Sequence, residues 1–253
     1  MKLLLLMTNA SSLTLKDGTA YPSGYWAEEF AIPYRLFKER GYEIDIATVG
    51  GIQPSVDKSS LDPDNLRFVR PAGSQIDDAA KAKEWADIIA NAPELKKPLA
   101  VEKITREQLN EYQGIYMVGG HGCMEDEPKS QAMGQITVWS YELQFPVAAV
   151  CHGHSVMLSA RDEKGKFPYG GYRMTCFSHN EEKATRIYGN LPLVLEEELR
   201  KLGVEYSEAP IIWGAHIVED RNLITGQNPF SSNLLAEKFL HRIRDLRASA
   251  LAK

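Results

Sequence analysis

The chain has 253 residues, 43% hydrophobic and 25% charged, with a net charge of −5. These values exclude a disordered or fibrous chain and allow a sizeable core. Lysine and arginine are scattered, which argues against nucleic acid as a partner.

The chain opens on Leu3-Leu4-Leu5-Leu6-Met7, far too short a run to span a bilayer and lacking a long h-region. Residues 2–8 therefore read as a buried first strand and not as a signal peptide or membrane anchor. Residues 25–40 read as a helix with Trp26, Phe30, Leu36 and Phe37 on its apolar side, stopped by Gly41. Residues 43–48 alternate like a strand. Residues 52–104 break this rhythm: Pro54, Pro63 and Pro71 sit among Asp and Ser, and only 77–91 look helical. The stretch has too few apolar positions for its own core, so it reads as an insertion packed on the main domain and shaping a pocket.

Thr105-Arg106-Glu107-Gln108 is a T-x-x-Q capping box and predicts a helix start. A strand over 114–118 leads into Gly119-Gly120-His121-Gly122, and a helix over 128–143 follows. A strand over 146–150 runs straight into Cys151, with a helix continuing to 161. Beyond it lie a strand over 172–177, a helix over 192–202, and short strands within 204–225 that turn at 220–222. The last element is an amphipathic helix over 231–247, with Leu234, Leu235, Phe239, Leu240 and Ile243 inward. Alternating apolar strands and amphipathic helices predict a single α/β domain with a mostly parallel sheet.

The cysteines are Cys123, Cys151 and Cys176. An odd number at long spacing gives no disulfide framework and no CxxC zinc spacing, so a reducing, cytoplasmic setting is expected. Only Cys151 stands at a strand-to-helix corner. Ala149-Val150-Cys151-His152-Gly153 has the layout of a nucleophile elbow, with small residues two before and two after the nucleophile. A helix N-terminus there favours thiolate and offers N–H groups to an oxyanion. Cys123 and Cys176 lack the corner and read as packing residues. The Gly119-Gly120-His121-Gly122 loop also leaves a buried strand. It reads either as part of an oxyanion hole beside Cys151 or as a tight turn only.

With these pieces in place, the chain resembles the ThiJ/PfpI superfamily, within the class I glutamine-amidotransferase-like fold, and in particular its branch of glyoxalase III enzymes and heat-shock chaperone-deglycases. The matching residues are Ser23-Gly24-Tyr25-Trp26-Ala27-Glu28-Glu29 with Pro33, Gly41-Tyr42-Glu43-Ile44-Asp45, the two segments just described, and Leu223-Ile224-Thr225-Gly226-Gln227-Asn228-Pro229. The resemblance implies a flavodoxin-like three-layer sandwich, a homodimer and cofactor-independent chemistry; some relatives bind metal at the position of His121, but the chain has no HxxxH or comparable ligand spacing, so no required metal is expected. It implies an active-site glutamate at Glu29, four residues before Pro33. It also implies a Cys151–His152–acid arrangement, with Glu182 as the acid and Glu181 the adjacent alternative. Gly119, Gly120, His121 and Trp213 would bind substrate or an oxyanion. His154 and His179 depart from the branch pattern. The implied activity is glutathione-independent conversion of a small reactive aldehyde, methylglyoxal or glyoxal, to a 2-hydroxy acid, with deglycase or chaperone activity sharing the same parts. The alternatives are a cysteine-dependent amidase, peptidase or amidotransferase-like hydrolase, and a holdase or oxidative-stress sensor built on an exposed, low-pKa cysteine.

Overall fold

A computed structural model describes residues 1–71 and 73–251, without the side chains of 247–251. In chain order its strands and α-helices are β1 (Lys2–Leu6), β2 (Ser12–Thr14), β3 (Ala20–Pro22), α1 (Ala27–Glu39), β4 (Glu43–Thr48), α2 (Pro63–Phe68), α3 (Asp78–Ala90), β5 (Leu99–Ala100) and β6 (Ile115–Met117). The second half holds α4 (Cys123–Asp126), α5 (Gln131–Glu142), β7 (Val147–Val150), β8 (Arg173–Met174), α6 (His179–Glu182), α7 (Leu195–Lys201), β9 (Glu205–Tyr206), β10 (Ile217–Asp220), β11 (Leu223–Gly226) and α8 (Ser232–Leu251).

Seven strands form one sheet in the order β10-β11-β7-β6-β1-β4-β5, parallel except for the β10–β11 hairpin. The chain leaves β1 towards β4 and returns to β6 on the other side of β1. That reversal is a topological switch point, where strand carboxyl ends diverge and open a crevice. The period-2 pattern of the strands builds two cores. Leu3, Leu5, Tyr116, Val118, Ala148 and Val150 face the layer of α1 and α8, with Phe30, Phe37 and Phe239. Leu4, Leu6, Ile115, Met117, Val147 and Ala149 face the layer of α5 and α7, with Met133, Ile136, Leu195 and Leu199. The fold is therefore a three-layer flavodoxin-like sandwich, as expected. Among the described residues no helix is long and apolar enough to cross a membrane.

The 52–104 segment packs Leu66, Ala82 and Trp85 on Trp26, Ala27 and Ala31 of α1, covering that helix's outer face. It also supplies a strand that its composition hid, β5, which pairs with the end of β4.

Other elements differ from expectation. Residues 63–68, expected as loop, form α2: Pro63 stands at the start of the helix, where it costs no hydrogen bond, and the Asp62 side chain caps it by accepting from Asp64 N–H. The Thr105 capping box forms, with Thr105 N–H donating to Gln108 Oε1 at 2.8 Å, but only a 3-10 turn over Glu107–Glu111 follows. The chain must turn at once, because Gln113 N–H bonds to the carbonyl of Lys2 to enter the sheet. The segment after β7 is a 3-10 helix over Cys151–Ser159, buried from Cys151 to Met157 and packed on α5. The strand expected over 172–177 stops after Met174, because Thr175 N–H bonds to Thr225 Oγ1 and Phe177 N–H to the carbonyl of Cys151. Leu234 of α8 is 40% exposed, one position outside the buried stripe of Leu235, Phe239, Leu240 and Ile243.

Phe239 is fully buried between Phe37 and Tyr116, with ring centroids 6.0 Å from each. Phe239→Ala should cost about 3–5 kcal/mol, read as a lower denaturant midpoint with an unchanged slope.

Candidate active site

The carboxyl ends of β6 and β7 lie side by side, in register at Met117 and Ala149. Cys151 follows β7 with φ 55°, a left-handed conformation costing an L-residue roughly 1–2 kcal/mol. The elbow fits only because its neighbours are small: a Cβ on Gly153 would stand 2.5 Å from the carbonyl of Met117. α1 is tied to the β6 exit by Trp26 N–H donating to the carbonyl of Gly119 at 2.9 Å and by Gly122 N–H donating to that of Gly24 at 3.2 Å. This carries Glu29 to the sulfur. A Cβ on Gly119 would be 2.4 Å from Glu29 Oε2 and 2.9 Å from Cys151 Cβ.

A hydrogen-bonded chain also runs away from the thiol. Cys151 Sγ is 3.2 Å from His152 Nδ1, and His152 Nε2 is 2.6 Å from Glu182 Oε1. The second oxygen of Glu182 is 3.1 Å from His121 Nε2. Glu182 must accept, so His152 carries its proton on Nε2 and leaves Nδ1 free to take one from the thiol. Glu181 turns elsewhere. Its carboxylate completes a capping box with Ser178 and accepts from Trp213 N–H at 3.1 Å and Asn228 Nδ2 at 2.7 Å. Of the two glutamates, Glu182 is the one in contact with His152.

Burial and the two imidazoles divide the charge. Glu182 resists its burial because His121 and His152 hold it down to about 2. Burial, and then the charge on His121, depresses His152 to about 4. Burial also pulls on His121, but Glu182 outweighs it and the net shift is upward. Of the two imidazoles, His121 is therefore the one that binds a proton more readily, and His152 is neutral. Glu29 is raised, first by burial, and neither of its oxygens has a good hydrogen-bond partner. The Cys151 thiol is also raised, by burial and then by Glu29. The expected thiolate at a helix N-terminus is not the resting form. At 4% exposure the sulfur is neither the exposed nor the low-pKa cysteine that a redox sensor needs.

A cleft of about 230 Å³ opens onto Cys151, and Gly120, His121, Trp26 and Trp213 line it. The 52–104 segment contributes Asp57, Ser59, Asn65, Phe68 and Val69 to its wall. Gly119 lies behind, between the acid and the thiol. His179 points away, onto Tyr188, Glu196 and Glu197, and His216 bonds to Ser207 and Ser231. The sequence reading missed Phe177, whose ring stands 4.7 Å from His152 and 5.7 Å from both His121 and Trp213. It also missed what separates Glu181 from Glu182. The S-x-x-E spacing of Ser178 and Glu181 is a capping-box signal that assigns Glu181 to the helix start. Cys123 and Cys176 are fully buried and free.

His121, His152 and Glu182 bring three potential ligand atoms within 4.8 Å of one another. Both imidazole Nε2 atoms already bond to Glu182, so a cation would have to displace both hydrogen bonds.

Residues 22–188 match the profile described as ThiJ/PfpI family-like. The chain belongs to the ThiJ/PfpI family. It is 26% identical over 241 residues to protein/nucleic acid deglycase 1 of Escherichia coli K12, covering 93% of this chain and 78% of that protein. It superposes on the structure of glyoxalase III from Candida albicans with TM-score 0.72 at 25% identity, covering 95% of this chain and 96% of that one. It shares its fold with the Rapid Encystment Protein 24 kDa of Francisella tularensis, at TM-score 0.76 and 23% identity, over 96% and 98% of the two chains. The names of the first two of these relatives are those of the branch that the sequence resembles.

Two outcomes follow from the charge pattern. In Glu182→Gln, His121 loses the charge that raises it while its burial remains. Its midpoint, followed by imidazole NMR, should fall from above 6.5 to below it. Glu29 binds its proton more tightly folded than unfolded, so its contribution to stability is present below pH 4.5 and is lost as pH rises through its folded value. The stability of Glu29→Gln relative to the natural chain should therefore grow as pH rises above 4.5 in denaturant titrations.

Proposed function

We propose that this chain is a glutathione-independent glyoxalase of the glyoxalase III type, converting methylglyoxal or glyoxal to lactate or glycolate. The observation that carries the reading is a single sulfur that has both a neutral imidazole, 3.2 Å away, and a buried carboxyl, Glu29, beside it. Cys151 passes its proton to His152 Nδ1 as the sulfur adds to the aldehyde carbon, and the alkoxide takes a proton to give a hemithioacetal. Glu182 steadies the imidazolium that forms. Glu29 and His152 then remove the proton from the former aldehyde carbon and return one to the neighbouring carbon through an enediol. The aldehyde carbon is oxidised to a thioester as the ketone carbon is reduced to an alcohol, so no external oxidant or reductant is needed. Water cleaves the thioester and regenerates the thiol. A carboxyl raised above its ordinary range suits this work, because it holds its proton to higher pH than a free glutamate and so can serve as an acid as well as a base.

Gly120, His121 and Trp213 line the cleft in which the carbonyl oxygens would sit. The cleft also reaches Phe68 and Arg186, leaving room for a glycated side chain. That room favours deglycation as a second reading, and the name of the Escherichia coli relative agrees with it.

The test supplies methylglyoxal without glutathione and follows D-lactate. The natural chain should turn over and Cys151→Ala should not. Glu29→Gln should lose about 10²–10⁴-fold in kcat. Equal, background-level product from the natural chain and Cys151→Ala would end the proposal.

A further inference from the structure

The mechanism leaves one buried histidine unused. His154 lies on the 3-10 helix below the nucleophile, fully buried and absent from the cleft wall. Its Nδ1 is 2.8 Å from the main-chain carbonyl of Cys151. Among the described residues, its Nε2 has no hydrogen-bond partner. Burial depresses the ring to about 4, so it is neutral at neutral pH. Facing a carbonyl, Nδ1 must donate, which places the only ring proton there.

That carbonyl is one end of the peptide unit joining Cys151 to His152. It also accepts from Phe177 N–H at 3.3 Å. At the other end of the same plane is the His152 N–H, whose interaction with the Cys151 thiol favours the ionised form. A trans peptide is rigid, so fixing its oxygen fixes the direction of its N–H. The plane belongs to a residue in a strained left-handed conformation, which persists only where its surroundings hold it. A donor on the oxygen also polarises the unit and strengthens the N–H as a donor.

We propose that His154 is a positioning residue: its Nδ1–H holds the Cys151–His152 peptide plane so that the His152 N–H stays aimed at the nucleophilic sulfur. The role requires that Cys151 be the nucleophile but not that the substrate be a 2-oxoaldehyde.

The test compares three variants by the rate of iodoacetamide alkylation at Cys151, read by peptide mass across a pH series. His154→Asn keeps an N–H donor at the branch position of Nδ1. His154→Leu fills the space without a donor, and His154→Gln carries the same amide one atom too far. The groups that face the sulfur, Glu29 from α1 and His152 beside it, are unchanged in all three, as are His121 and Glu182 behind them. The inference predicts alkylation of His154→Asn within about twofold of the natural chain. His154→Leu and His154→Gln should be slowed about five- to tenfold at pH 7, the range of one lost hydrogen bond, with their profiles moved to higher pH. If His154→Leu does not fold, the Asn–Gln pair decides alone. Folded His154→Leu or His154→Gln alkylating at the natural rate and pH would overturn the assignment, and so would His154→Asn slowed as much as His154→Gln. D-lactate production is measured separately, so failure of the glyoxalase reading and failure of this one are distinguishable.

Discussion

The contact between the Glu29 carboxyl and the Cys151 thiol sets the terms for everything around it. Both groups are buried, and both are pushed towards their neutral forms. Such a pair is stable only if nothing larger than a hydrogen side chain intervenes, which fixes Gly119 between them. It also requires the start of α1 to sit on the β6 exit, which the main-chain bonds from Trp26 and Gly122 secure. The closeness of the pair is thus a property of backbone packing at the switch point of the sheet, and the side chains follow from it.

The imidazoles near the sulfur are organised by one carboxylate. Glu182 bonds two imidazoles at once and keeps its charge although no part of its side chain is exposed. Burial, and then the charge on His121, holds His152 down to about 4, which leaves its Nδ1 unprotonated. The thiol therefore needs no standing negative charge; a base is in place to take its proton when a carbonyl arrives. That arrangement suits the proposed addition of the thiol to an aldehyde.

Most of the scaffold was legible in the sequence because its signals are local. Apolar runs gave β1, β6 and β7, the last two leading into glycine and cysteine, and the 3.6-residue pattern gave α1 and α8. Cys151 was legible from the small residues flanking it, and Glu29 from its distance to Pro33. What escaped depends on contacts distant in sequence. β5 is two residues long and is a strand only because β4 lies beside it. Segment 172–177 has the pattern of a strand, yet its N–H groups go to Thr225 and Cys151 instead of a ladder. The choice between Glu181 and Glu182 turned on a capping box at Ser178 and on Asn228, 47 positions away. The thiol's ionisation was misjudged because a helix terminus can be read from sequence, whereas the burial that outweighs it cannot.

The central claim is that Cys151 adds the substrate and Glu29 moves its protons. The most direct measurement is peptide mass mapping of Glu29→Gln after exposure to methylglyoxal, with D-lactate followed in the same sample. The account predicts the mass of one methylglyoxal on the peptide that carries Cys151, with product formation nearly abolished. No addition at Cys151, or product formed at the rate of the natural chain, would contradict it.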